Sequence, residues 1–232
     1  RMILGLGMSH RPLLESLGIT MDQPRQYMRS YVTSLNTLFR GESLSSFHRP
    51  QKSAYKIPVY VGAVTVESAE VGGELADGIM PFLPALTYLT QLVEAAKSAA
   101  QRVGKDPKQI DCIVSIPTFI SDQIEQARSA AKYNLAFFAN LPFYRKQWRR
   151  CGFVDEVNAL QEAWKKGDRR AAAECVSDRM VDQVCVFGPP SQCKEQLAAF
   201  HDAGAAMPVL AVSPVNEDRL AATRKALDVL AP

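Results

Sequence analysis

The amino-acid sequence predicts an α/β fold built on a parallel sheet. Three observations predict it. Five short runs are almost continuously apolar rather than alternating, the pattern of strands covered on both faces. Between them lie longer stretches whose apolar residues recur at the spacing of an amphipathic helix. Runs and stripes alternate along the chain, and repeated β-α units imply parallel strands with right-handed crossovers.

The strands are expected at residues 2–7, 57–64, 78–83, 112–120 and 208–212. The first helix follows from Met28, Tyr31, Val32, Leu35, Leu38 and Phe39, with Pro24 in its first turn and Gly41 beyond its end. Thr65 fits the cap of a helix running through Val66 and Ala69. Leu86, Leu89, Leu92, Val93, Ala96 and Val103 make another stripe, closed by Gly104. Ser121 is the expected cap of a helix carrying Ile124, Ala127, Ala131, Leu135 and Phe138. Residues 189–203 form a further helix ended by Gly204, and Asn216 is the expected cap of the last, which carries Leu220, Leu227 and Leu230. Residues 41–55 read as a polar surface loop, and residues 141–187 as extra helical material. No repeat and no linker-like stretch divides the chain, so residues 1–232 read as one domain.

Composition narrows the function. No run of 18 apolar residues occurs, which excludes a membrane-spanning helix. A net charge of +3, evenly spread and without a basic stripe, argues against a nucleic-acid groove. Cys112, Cys151, Cys175, Cys185 and Cys193 are scattered and form no C-x-x-C pair, so they read as reduced, mostly buried thiols of a cytoplasmic protein. Three histidines lie too far apart for a metal cluster, and His48 and His201 read as surface residues. The chain starts at Arg1 with an apolar run at once, which reads as the middle of a domain.

Parallel β/α folds bind ligands at the carboxyl ends of their strands. After the first strand comes Gly5-Leu6-Gly7-Met8-Ser9-His10. Its glycines allow close backbone approach, and its N–H groups, Ser9 hydroxyl and His10 suit a phosphate or a carboxylate. The alternative is a turn that needs glycine for geometry alone. The third glycine of the dinucleotide fingerprint and the lysine of a P-loop are both missing. Gly62-Ala63-Val64-Thr65 follows the second strand; its small residues leave room for a planar ring, or Thr65 simply caps a helix. Tyr133, Phe137, Phe138, Phe143, Tyr144 and Trp148 are either helix core or one wall of an apolar substrate pocket. No Ser-His-Asp or Cys-His arrangement can be assigned. These readings reach a parallel β/α domain with an anion-binding mouth, which also suits an unrelated barrel enzyme acting on a phosphorylated metabolite.

Several motifs together resemble the luciferase-like monooxygenase superfamily, and most closely its coenzyme F420-dependent oxidoreductases. They are the opening residues through Ser9-His10, Met28-Arg29-Ser30-Tyr31-Val32, Ile57-Pro58-Val59-Tyr60-Val61-Gly62-Ala63, and Val71-Gly72-Gly73-Glu74-Leu75-Ala76-Asp77-Gly78. Gly104-Lys105-Asp106-Pro107, Gly188-Pro189-Pro190 and the ending from Ala203-Gly204 to Pro214 complete them. The resemblance implies an eight-stranded (β/α)8 TIM barrel of which this chain matches strands four to eight, the first three being absent and with them the family's usual acid or base. It implies that Gly5, Leu6, Gly7, Met8, Ser9 and His10 contact the coenzyme's phosphate or ribityl tail, with Gly62, Ala63, Val64 and Thr65 at the same mouth. It places residues 141–187 in the family's variable helical insertion, near the substrate. The implied activity is hydride transfer between F420 and a small organic substrate. Monooxygenation with FMN, or a shortened non-catalytic flavin-binding relative, stays open, and a homodimer is the partner the resemblance implies.

Overall fold

The computed structural model describes residues 2–9, 11–45 and 55–231; the readings made for Arg1, His10 and His48 lie outside them. The chain forms two compact units, Arg1–Met80 with Leu92–Cys112 and Pro81–Gln91 with Ile113–Pro232. It passes from one to the other inside a helix, Leu86–Arg102, and inside a strand, Asp111–Ile120. Regular elements carry the crossings, so no linker-like composition marks them.

In the first unit, strands β1 (Leu4–Leu6), β2 (Val59–Gly62) and β3 (Gly78–Met80) pair in parallel, and β3 pairs with Asp111 and Cys112 at the start of β4 (Asp111–Ile120). Helices α1 (Arg11–Ser16), α2 (Pro24–Phe39), α3 (Val66–Leu75) and the later part of α4 (Leu86–Arg102) belong to it. Met28 and Val32 of α2 meet Val59 and Val61 of β2 and Val71 and Ala76 at α3 in one buried cluster. Alternation along β2 then turns Tyr60 to the other face, where its hydroxyl donates to Asp111 Oδ2 at 2.7 Å. The paired glycines of α3 are explained by close approach: a Cβ at Gly73 would lie 1.9 Å from the Ala96 carbonyl oxygen, and one at Gly72 2.4 Å from Ile79 Cγ2.

In the second unit, the rest of β4 pairs in parallel with β5 (Val186–Gly188) and β6 (Met207–Val212). Helices α5 (Ile124–Ala139), α6 (Pro142–Arg150), α7 (Val154–Lys165), α8 (Arg169–Glu174), α9 (Asp178–Val184), α10 (Pro190–Asp202) and α11 (Arg219–Leu230) surround them. Leu135, Trp148, Phe153, Leu160, Phe187 and Phe200 are among its large, fully buried side chains.

Five expectations are corrected. The third strand ends at Met80 rather than residue 83, because Leu83 takes φ +55° and only Phe82 still bridges, to Ser115. A sixth strand, β5, follows the helical stretch. Both-face burial holds for β2 but not for β1 or β6, whose residues alternate between exposed and half-buried. The last helix is capped by Asp218, whose carboxylate accepts from Ala221 N at 2.9 Å; Asn216 instead donates to Gln126 Oε1 at 2.7 Å from a left-handed backbone. At α5, Gln123 holds the cap position, while Ser121 Oγ accepts from its amide at 3.1 Å.

Candidate functional site

Parallel pairing of Leu6 with Val61 sets the carboxyl ends of β1 and β2 side by side in the first unit. A Cβ at Gly62 would lie 3.4 Å from the Leu6 carbonyl oxygen and 3.6 Å from Gly7 Cα. The two residue groups singled out in the sequence, Gly5 to Ser9 and Gly62 to Thr65, are therefore neighbours. Their hydrogen bonding differs.

Along the first exit the side chains alternate. Leu6 and Met8 pack against the buried cluster around Val32 and Val61, whereas Gly7 and Ser9 are exposed. A Cβ at Gly5 would sit 2.6 Å from Met80 Cε, the movable end of a flexible side chain. A Cβ at Gly7 would meet nothing within 4 Å among the described residues. Ser9 adopts φ +60°, the left-handed region that non-glycine residues seldom enter. No hydrogen bond ties the amides of Gly7, Met8 or Ser9 to another described residue. A loop of uncommitted N–H groups containing a left-handed residue is the type of backbone that makes an anion-binding concavity.

The second exit is closed on itself. Ala63 is buried and its amide donates to the Met80 carbonyl at 3.2 Å. Val64 and Thr65 amides both donate to Ser68 Oγ, at 3.2 and 3.0 Å, and Thr65 Oγ1 accepts from Ser68 N at 3.2 Å. This is a capping box, which satisfies donors that a helix start otherwise leaves open. Thr65 is a helix cap, the plainer of its two readings. Ser68, unremarked in the sequence, supplies the reciprocal hydroxyl, and the Thr-x-x-Ser spacing is the signal that could have found it.

Elsewhere in the same unit, a cavity of about 570 Å³ lies beside the amino ends of β2 and β3, lined by residues including Asn36, Tyr55, Lys56, Asp77 and Lys105. Its charges are structural. Lys56 pairs with Asp77 at 2.5 Å, and Asp77 Oδ2 accepts from Val59 N at 2.9 Å. Lys105 Nζ donates to the carbonyls of Gly73, at 2.9 Å, and Ala76, covering the end of α3; burial draws its pKa down. Among the described residues no group of three or more His, Cys, Asp or Glu could hold a metal ion. Burial pushes the thiols of Cys112 up to about 12 and of Cys151 and Cys193 up to about 11, leaving them protonated at neutral pH.

The aromatic stretch in the second unit divides. Tyr144 and Trp148 are buried, whereas Tyr133 and Phe137 are 52% and 63% exposed. Phe82, Phe138, Tyr144 and Phe143 form a chain of edge-on contacts at 5.3–5.7 Å between ring centres. Thr118, at the end of β4, is fully buried and donates to the Ile116 carbonyl at 3.0 Å.

A parallel β/α fold with a glycine-lined strand exit after β1 places the chain in the class of β/α barrel-type proteins. The model of the luciferase-like monooxygenase family matches residues 1–207, and the chain belongs to that family. It is 26% identical over 230 residues to the 5,10-methylenetetrahydromethanopterin reductase of Methanolobus tindarius, covering 94% of this chain and 70% of the relative. The coenzyme F420-dependent tetrahydromethanopterin reductase of Methanopyrus kandleri superposes with a TM-score of 0.81 at 19% identity, over 99% of this chain and 73% of that one. An F420-dependent secondary alcohol dehydrogenase in complex with an F420-acetone adduct matches at TM-score 0.70 and 13% identity, over 98% and 68%. The fold is that of a luciferase-like TIM barrel over part of its length.

Proposed function

We propose that this chain is part of an F420-dependent oxidoreductase and that the β1 exit holds the coenzyme's phosphate. The observation that carries the reading is the loop Gly7 to Ser9, with Gly7 and Ser9 exposed, amides without a partner among the described residues and a left-handed Ser9 beside Gly62. The family match and the F420-dependent relatives support the choice of coenzyme.

The residues present fit such a group. Gly7 leaves room for close approach, its neighbours offer N–H donors, and the Ser9 hydroxyl adds a further donor. Bound F420 supplies a two-electron hydride carrier for a small organic substrate. The chain's own work is to fix the carrier's tail, orient the reactants and keep water away. Gly5, Leu6 and Met8 act from beneath, by packing the loop onto the core, while Gly62 and Ala63 keep the flank small. Val64 and Thr65 act through the start of α3. His10 is proposed with the loop by its place in the sequence. A homodimer is proposed from the family alone.

The test is a fluorescence titration of the protein with F420 and, separately, with FMN, repeated on Gly7→Val. F420 should bind, and the variant should lose about tenfold or more in affinity while its thermal midpoint stays within about 2 °C, because a side chain at Gly7 enters open space. Binding of neither coenzyme contradicts the proposal; tighter binding of FMN moves it to the flavin branch.

A further inference from the structure

The cavity beside the amino ends of β2 and β3 lies at the opposite end of the strands from Gly7 to Ser9, and its lining residues all belong to the first unit. At about 570 Å³ it has the size of a small-molecule site. Part of its wall is apolar: Phe39, Ile57 and Leu75, each half-buried. The rest is polar or charged, and the bonds already made there decide which sign of charge a ligand needs.

The ends of α2 and α3 reach the cavity, and the carboxyl end of a helix by itself favours a cation. The acceptors around it are taken, however. Lys105 Nζ donates to the carbonyls of Gly73 and Ala76, and Asn36 Nδ2 donates to that of Leu75 at 2.7 Å. The Glu74 carboxylate is paired with Arg29 and Arg102, and that of Asp77 with Lys56 and the Val59 amide. Arg40 is committed to Glu42 at 2.7 Å.

Donors are left over. An ammonium group has three N–H bonds. Lys105 uses two, Lys56 pairs only with Asp77, and neither has a further partner among the described residues. Burial, foremost, draws the Lys105 pKa down; Asp77 opposes this and the charge on Lys56 adds to it, so the two ammonium groups act on one another with a single carboxylate between their charges. A second anion would complete the balance. A phosphate monoester, with its charge near −2 and three acceptor oxygens, matches two cations with spare donors better than a single carboxylate does.

We propose that this cavity is a second ligand site, for a small organic phosphate whose head group lies between Lys56 and Lys105 and whose apolar body rests on Phe39, Ile57 and Leu75. The inference goes beyond the coenzyme reading and does not rest on it.

The test is an amide NMR titration of the whole chain with three probes: phenyl phosphate, inorganic phosphate, and benzylamine, which has a similar ring but the opposite charge. Phenyl phosphate should shift the amides of Ala76, Asp77 and Lys105. Inorganic phosphate should shift the same amides with about tenfold lower affinity, because the ring is what the apolar wall covers. Benzylamine should leave them still. Lys56→Gln, at a side chain 73% exposed, should weaken phenyl phosphate about fivefold, as expected for one charge-assisted hydrogen bond. Stillness of Ala76, Asp77 and Lys105 with phenyl phosphate overturns the proposal, including when only Gly7 to Ser9 respond. An equal response to benzylamine overturns the choice of charge, and equal affinity for the two phosphates overturns the role of the apolar wall. Unchanged affinity in Lys56→Gln overturns the role of Lys56; should that variant fail to fold, the three probes on the wild-type chain still decide.

Discussion

Two strand exits lie side by side in the first unit, both rich in small residues and both ending in a hydroxyl. After β1, Gly7, Met8 and Ser9 leave their amides without partners among the described residues, and no packing neighbour explains Gly7. After β2, the amides of Ala63, Val64 and Thr65 are all donated within the fold, and Thr65 itself caps α3. The difference separates hydrogen-bonding capacity kept available from capacity used to start a helix. A binding loop needs the first; the second supplies rigidity beside it.

The contrast can be broken from the rigid side. Gly73→Ala should have the largest effect: its Cβ meets the Ala96 backbone at 1.9 Å, so α3 must shift from α4. A loss of about 3 kcal/mol is expected for overpacking against backbone, seen as a thermal midpoint lower by roughly 6–12 °C. A midpoint within about 2 °C of wild type would mean that the two helices are not docked as described. Thr65→Ala should act more gently. Removing the cap hydroxyl should lower stability by about 1 kcal/mol, with F420 affinity changed less than about threefold. A tenfold loss of affinity with no change in stability would make Thr65 a ligand contact and remove the distinction between the exits.

Much of this was legible in the sequence where the deciding interaction is local. Pro24 and Gly41 bracket α2, and Gly104 stops α4 in a left-handed turn, because each acts through its own backbone. The neighbourhood of the two exits followed from parallel order alone. What sequence could not give depends on distant partners. Asn216 and Asp218 are both cap-type residues two apart, and only the bond from Asn216 to Gln126 separates their roles. Strand β5 is three residues long, too short for a pattern, and exists by pairing with the end of β4. The pairing of Gln147 with Phe82 spans 65 positions and has no sequence signal. Leu6 and Met8 looked like members of a contact loop, but the alternation that exposes Gly7 and Ser9 turns these two into the core.

The most direct measurement is an amide NMR titration of this chain with F420. The account predicts shifts at Gly7, Met8 and Ser9 as coenzyme is added, with Val64 and Thr65 nearly still because their protons remain on Ser68. Movement of Val64 and Thr65 while Gly7 to Ser9 stay unperturbed would contradict it.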